Sequence, residues 1–158
     1  MASLKLSGFI LTVLSTFFLL VALASTNWGE GEGIHFGLWL ACAATCQSTT
    51  SIAYGGYHAV RAFILIAFFL WVAILVLQAM DLWYNSTLPS VNKMKYAAHL
   101  SISAAILVFF GMAIFTGTYA PFAPKLRFGW SFGIGWFSAI LGIAAATVNM
   151  LAFKKEPQ

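Results

Sequence analysis

Residues 62–80 read AFILIAFFLWVAILVLQAM, a run without a single Lys, Arg, Asp or Glu. A helix needs roughly 20 apolar residues to cross about 30 Å of hydrocarbon, and this run is close to that length. In lipid a helix also satisfies its own backbone hydrogen bonds, which an open strand or loop cannot do. Three further runs of the same kind flank it, at 6–24, 97–117 and 131–153, and none of them carries a charged side chain. The reading is a chain that crosses the bilayer four times.

Composition agrees. Of 158 residues, 61% are hydrophobic and 8% charged, whereas a soluble domain is about 25% charged. So few charges cannot cover a water-facing surface. The length suits one domain, 1–158, rather than two. The eight cations are scattered, which argues against a nucleic-acid partner, for which a clustered basic face is expected. The first run has some features of a cleaved signal, with Lys5 before it and Ala22-Leu23-Ala24 at its end. Its apolar stretch is longer than a usual signal core, so it is read as a retained helix.

Lys and Arg favour the cytoplasmic side. With the N-terminus inside, Lys5, Lys93, Lys95, Lys154 and Lys155 lie inside, and Arg61, Lys125 and Arg127 outside. Both termini are then cytoplasmic, with short tails, and the soluble loops 26–58 and 118–129 are extracellular. Asn85-Ser86-Thr87 is a glycosylation acceptor sequence. This topology puts it inside, so it is read as a chance match. Glycosylation at Asn85 would invert the topology.

Both cysteines, Cys42 and Cys46, fall in the first extracellular loop. Their spacing suits a short turn between adjacent strands, and an oxidising compartment would let a disulfide form and persist. The alternative is two free thiols. Metal binding is disfavoured, since no ligand pair accompanies them. In the same loop Ile34, Phe36, Leu38 and Leu40 alternate with His35, Gly37, Trp39 and Ala41, which predicts a strand with one covered face. Gly29-Glu30-Gly31-Glu32-Gly33 before it reads as a turn, and a second strand is expected within 47–54. The second loop is stiffened by Pro121 and Pro124. His35, Phe36, Tyr119 and Phe122 are candidate partner contacts, although the aromatic residues also suit an interfacial belt.

In helix four, Gly135, Ala139, Gly142 and Ala146 recur at spacings of four, three and four, and helix one offers Gly8, Thr12, Ser15 and Ala22. Small residues on one face let membrane helices approach closely. The alternative is ordinary membrane-helix composition. His35, His58 and His99 are too far apart for a local metal motif. No carboxylate pair, nucleophile elbow or phosphate loop appears, so neither enzymatic activity nor a cofactor or metal is expected.

Trp28, Gly37-Leu38-Trp39, Cys42 and Cys46 together resemble the W-GLW-C-C signature of the claudin superfamily. That group includes claudins, peripheral myelin protein, epithelial membrane proteins, the lens fibre membrane protein and AMPA-receptor auxiliary subunits. The resemblance continues through Ser51-Ile52-Ala53-Tyr54, Arg61-Ala62-Phe63-Ile64-Leu65, Ile114-Phe115-Thr116-Gly117 and Phe128-Gly129-Trp130-Ser131-Phe132, and it covers nearly the whole chain in order. It is strongest to the branch of the lens fibre and epithelial membrane proteins.

The resemblance implies an all-α membrane protein, a left-handed four-helix bundle capped by a small extracellular antiparallel β-sheet. By the same analogy, Trp28 and Gly37-Leu38-Trp39 seat the sheet on the membrane and Arg61 anchors the loop by bonding carbonyls near it. The C-terminus, Glu156-Pro157-Gln158, departs from the ending by which claudins bind scaffold domains, so no scaffold partner is expected. The function implied is a structural or adhesive tetraspan of the plasma membrane, acting through its outer sheet and self-association. The alternatives are an auxiliary or trafficking subunit of another membrane protein and, less favoured for want of intramembrane charge, a pore. The expected partners are the lipid bilayer and a second copy or a lateral membrane protein.

Overall fold

The computed structural model describes residues 2–49, 55–84, 92–119 and 127–155. Four helices among them are long and apolar enough to cross a membrane: α1 (Ala2–Ala24), α2 (Gly55–Trp83), α3 (Lys93–Tyr119) and α4 (Trp130–Lys154). Each outruns the apolar stretch that announced it, α2 most of all. Its 29 residues extend to about 44 Å at 1.5 Å per residue, well beyond about 30 Å of hydrocarbon. The surplus carries Tyr57 and Arg61 up to the cap, where both make contacts that a loop could not hold in place.

The helices pack in a ring, α1 on α4 and α2 on α3 most extensively, closed by α3 on α4 and α1 on α2. Lipid supplies no hydrophobic drive for this association, so close backbone approach and interhelical hydrogen bonds must hold it. The α1–α4 seam shows both. Ser15 Oγ donates to the Ser138 carbonyl at 3.1 Å, and Ser138 Oγ donates back to the Ser15 carbonyl at 2.9 Å. Gly135, Ala139, Gly142 and Ala146 all point inward. A methyl at Gly142 would lie 2.9 Å from the Trp71 ring and 3.2 Å from Ser15 Oγ.

Lower in the bundle, Gln78 Nε2 donates to Asn149 Oδ1 at 2.7 Å, and Asn149 Nδ2 donates to Ser101 Oγ at 2.9 Å. This buried chain ties α2, α4 and α3 together. Near the same end, Lys5 Nζ pairs with Asp81 at 2.8 Å, joining α1 to α2.

At the other end sits a five-stranded antiparallel sheet in the order β4-β3-β2-β1-β5. Its strands are β1 (Gly29–Gly31), β2 (Ile34–Phe36), β3 (Leu40–Cys42), β4 (Cys46–Ser48) and β5 (Arg127–Phe128). The single alternating strand expected from Ile34 to Ala41 is broken into β2 and β3. Between them Gly37 N–H bonds the Leu40 carbonyl at 2.8 Å, and Leu38 turns down into the core. Gly37 presses on α1's exit, where a methyl would meet the Ser25 carbonyl oxygen at 2.2 Å.

Two further stretches depart from the expected pattern. Gly29–Gly31 is strand rather than turn, and the reversal is confined to Glu32-Gly33, where Gly33 adopts φ +70°, a conformation that suits glycine. The strand expected within 47–54 is β4, and it stops at Ser48 because Thr49 bends back to bond the Trp39 carbonyl. Positions 50–54 lie outside the described residues.

Candidate functional site: the sheet-bearing cap

The last carbonyls of a helix have no partner within it, and α1 ends without a basic residue in its last turn. The chain satisfies them one by one. Ser25 N–H takes the Val21 carbonyl, Trp28 Nε1 donates to the Ala22 carbonyl at 2.6 Å, and Trp39 Nε1 donates to the Leu23 carbonyl at 3.0 Å. The two tryptophans therefore form a C-terminal cap for α1 built from indole N–H groups. Trp28 is fully buried, with its ring edge-on to Phe115 at 4.9 Å. Its backbone is gripped too, since Trp28 N–H bonds the Phe36 carbonyl and Gly129 N–H bonds the Trp28 carbonyl.

Arg61 reaches up from α2. Nε donates to the Leu38 carbonyl and Nη2 to Thr49 Oγ1, both at 2.6 Å. Thr49 Oγ1 in turn donates to the Leu38 carbonyl at 3.1 Å. His58 Nδ1 lies 3.3 Å from Nη1. The guanidinium sits over the rings of Tyr57 and Trp39, 5.0 and 5.4 Å from their centroids, and Tyr57 donates its hydroxyl proton to the Gly37 carbonyl. Arg61 is only 5% exposed, and among the described residues no carboxylate pairs with it. A buried cation needs its hydrogen bonds made, and here a carbonyl, a hydroxyl and two aromatic faces supply the compensation.

Cys42 and Cys46 lie opposite one another in the β3–β4 register and are joined as a disulfide. The link staples the outer edge of a sheet whose strands are two or three residues long.

The candidate partner contacts are placed differently from expectation. Tyr119 is only 5% exposed, its ring stacked on Phe115 and set against Phe36 and Phe128. It belongs to the cap's aromatic core and is removed as a contact residue. Phe36 is half-buried against the same core and His35 is half-buried on β2. Phe122 lies outside the described residues, as do Asn85 and 156–158. What faces outward is Ile34, 46% exposed, and Leu40, 39% exposed, which the alternation had assigned to the covered side. Ile34, Ala41, Ala43 and Ala44 line a shallow recess of about 300 Å³ beside the disulfide loop. β4, whose outer edge no strand covers among the described residues, is exposed along its length.

Sequence reasoning also missed Gln78, Asn149 and Ser101. The signal for Asn149 was present, since it extends the helix-four stripe by one more step of three. Among the described residues no group of three metal-ligating side chains comes together. Around Arg61, Trp28 and Trp39 the buried polar groups of the cap bond one another and the backbone, an arrangement suited to presenting a rigid surface.

A model of the PMP-22/EMP/MP20/Claudin family matches residues 1–147. Among known proteins, the Lens fiber membrane intrinsic protein of Homo sapiens is 28% identical over 149 residues, covering 88% of this chain and 85% of the relative. Its Rattus norvegicus counterpart is 27% identical over the same length and coverage. Protein NKG7 of Homo sapiens is 28% identical over 153 residues, covering 92% of this chain and 88% of the relative.

Proposed function

This chain belongs to the PMP-22/EMP/MP20/Claudin family, and on that footing we propose that it is a structural, adhesive tetraspan that joins membranes or partners through its cap. It is a multi-pass membrane protein with a claudin-like fold. The observation that carries the reading is the contrast within the cap. Its polar groups are consumed internally around Arg61, Trp28 and Trp39, while Ile34, Leu40 and the edge of β4 are presented outward. The pairing of β2 with β3 puts Ile34 and Leu40 on opposite faces of the sheet, and exposed apolar side chains beside a strand edge are ways of meeting another protein.

We read the whole chain, 1–158, as one such unit, lying in the plasma membrane with the cap outside. Lys5, Lys93, Lys95, Lys154 and Lys155 all occur where α1 and α3 begin or where α4 ends, opposite the sheet. Their placement supports a cytoplasmic assignment for that face. The disulfide supports an oxidising side for the cap.

The test is to reconstitute the full chain in two liposome populations carrying different dyes and to follow their clustering. Clustering that is lost in Ile34→Glu and Leu40→Glu supports adhesion. No clustering, together with co-purification of a different membrane protein in stoichiometric amount, would replace it with the auxiliary-subunit reading.

A further inference from the structure

A groove of about 520 Å³ runs along the outer face of α3 and α4, a volume within the roughly 300–1,000 Å³ of small-molecule sites. It exists because Ala105 and Ala146 form its floor while Ile106, Phe110, Ile143 and Leu151 stand half exposed as its walls. Among the described residues the one charged side chain lining it is Lys154, at the end where α4 finishes. In a bilayer such a groove lies among acyl chains, so an apolar occupant is given by its surroundings. An exposed cation at its mouth adds selection for the headgroup.

Charge at that end is one-sided. Among the described residues the only acid there is Asp81, already paired with Lys5. Lys95, Lys154 and Lys155 make no ion pair with a described carboxylate. His99 stands beside Phe153, ring centroids 6.0 Å apart, so the basic ends of α3 and α4 are neighbours. Glu156 follows Lys155 in the sequence and lies outside the described residues.

We propose that this groove is a site for an anionic glycerophospholipid of the leaflet on that side, one acyl chain lying between α3 and α4 and the net negative charge of the headgroup balanced by Lys154. Lysine at the mouth of an apolar interhelical groove is the arrangement by which membrane proteins hold acidic headgroups. The groove's hydroxyl, on Thr147, bonds the Ile143 carbonyl of its own helix at 2.9 Å. It therefore leaves the wall apolar to the chain.

The experiment uses the full chain, delipidated in mild detergent, and counts bound lipid by native mass spectrometry. Palmitoyl-oleoyl phosphatidylserine is compared with the matching phosphatidylcholine. The wild type is expected to retain the serine lipid at least about fivefold better, the gain from one lysine near an acidic headgroup. Lys154→Gln should erase that preference while leaving retention of the choline lipid unchanged. Thr147→Trp, which fills the groove from an exposed position, should reduce retention of both. Equal retention of the two lipids by the wild type overturns the proposal, as does an unchanged preference in Lys154→Gln. Complete competition by soluble glycerophosphoserine would mean an anion site without a chain, and would also overturn it. If Thr147→Trp instead lowers the particle's mass to that of a monomer and leaves lipid counts alone, the groove is a contact between copies and the lipid proposal fails.

Discussion

Gly8 of α1 lies so close beneath Asn149 of α4 that a methyl at Gly8 would sit 2.2 Å from Asn149 Oδ1. The same oxygen accepts the Gln78 N–H, so one glycine sets the room for a hydrogen-bonded chain joining three helices.

This closeness predicts a non-additive pair. Gly8→Ala overpacks the seam and should destabilise by about 1–3 kcal/mol. Asn149→Ala leaves the Gln78 donor without its partner and should cost about 1–3 kcal/mol. In the double variant the clash is gone, so the total should fall short of the sum by at least about 0.5 kcal/mol. Unfolding in mixed micelles by titration with a denaturing detergent measures all three. Strict additivity would refute the coupling.

The indole cap of α1 predicts an order of damage. Trp28→Phe removes a donor from a fully buried carbonyl contact and should cost about 1–3 kcal/mol from the unpaired group alone. Trp39 is only half-buried, so water can reach the freed Leu23 carbonyl and Trp39→Phe should cost less. Thermal midpoints in the same detergent decide it. Equal losses, or a larger loss at Trp39, would show that ring volume rather than the N–H governs.

Arginine at position 61 should not be replaceable by lysine. Lys can supply charge but not the planar fork that bonds Leu38 and Thr49 at once while lying over two rings. Arg61→Lys should open the cap to limited proteolysis nearly as much as Arg61→Gln. Protection close to wild type in Arg61→Lys would mean that charge alone holds the cap.

The disulfide should act locally. In Cys42→Ser, amide hydrogen exchange should quicken at Leu40, Ala41 and Gln47, the β3–β4 pairing it staples. Exchange in the middle of α2 and α4 should stay as in the wild type, because the bridge joins two strands of the sheet and no helix. Loss of protection throughout the helices would make the bridge a requirement for the fold as a whole.

The helices were legible because lipid imposes a length and forbids charge, and both leave plain marks in runs such as 62–80. The small-residue stripe at Gly135, Ala139, Gly142 and Ala146 was legible for the same kind of reason, since periodicity survives in the sequence. The cap was harder to read. Its strands are too short for alternation to mean much, so Ile34 and Leu40 were assigned inward when only Leu38 and, in part, Phe36 pack toward the core. β5 is two residues long and gives no local signal; it is a strand only because Gly29 and Glu30 lie opposite it. Tyr119 was misplaced because loop composition cannot say which aromatic residues stack on one another. Gln78 and Asn149 were passed over because an isolated amide in an apolar run shows its partner only once the helices are assembled.

The pairing of β1 with β5 has a consequence for how the chain is made. β1 follows the first helix, but its partner strand immediately precedes the last. A growing chain therefore inserts three helices with one flank of its sheet still unpaired, and α1 waits equally long for α4. Contacts so distant in sequence form slowly, and an uncovered strand edge invites the wrong neighbour. For this protein the interval between the third helix and the fourth is when quality control has most to guard.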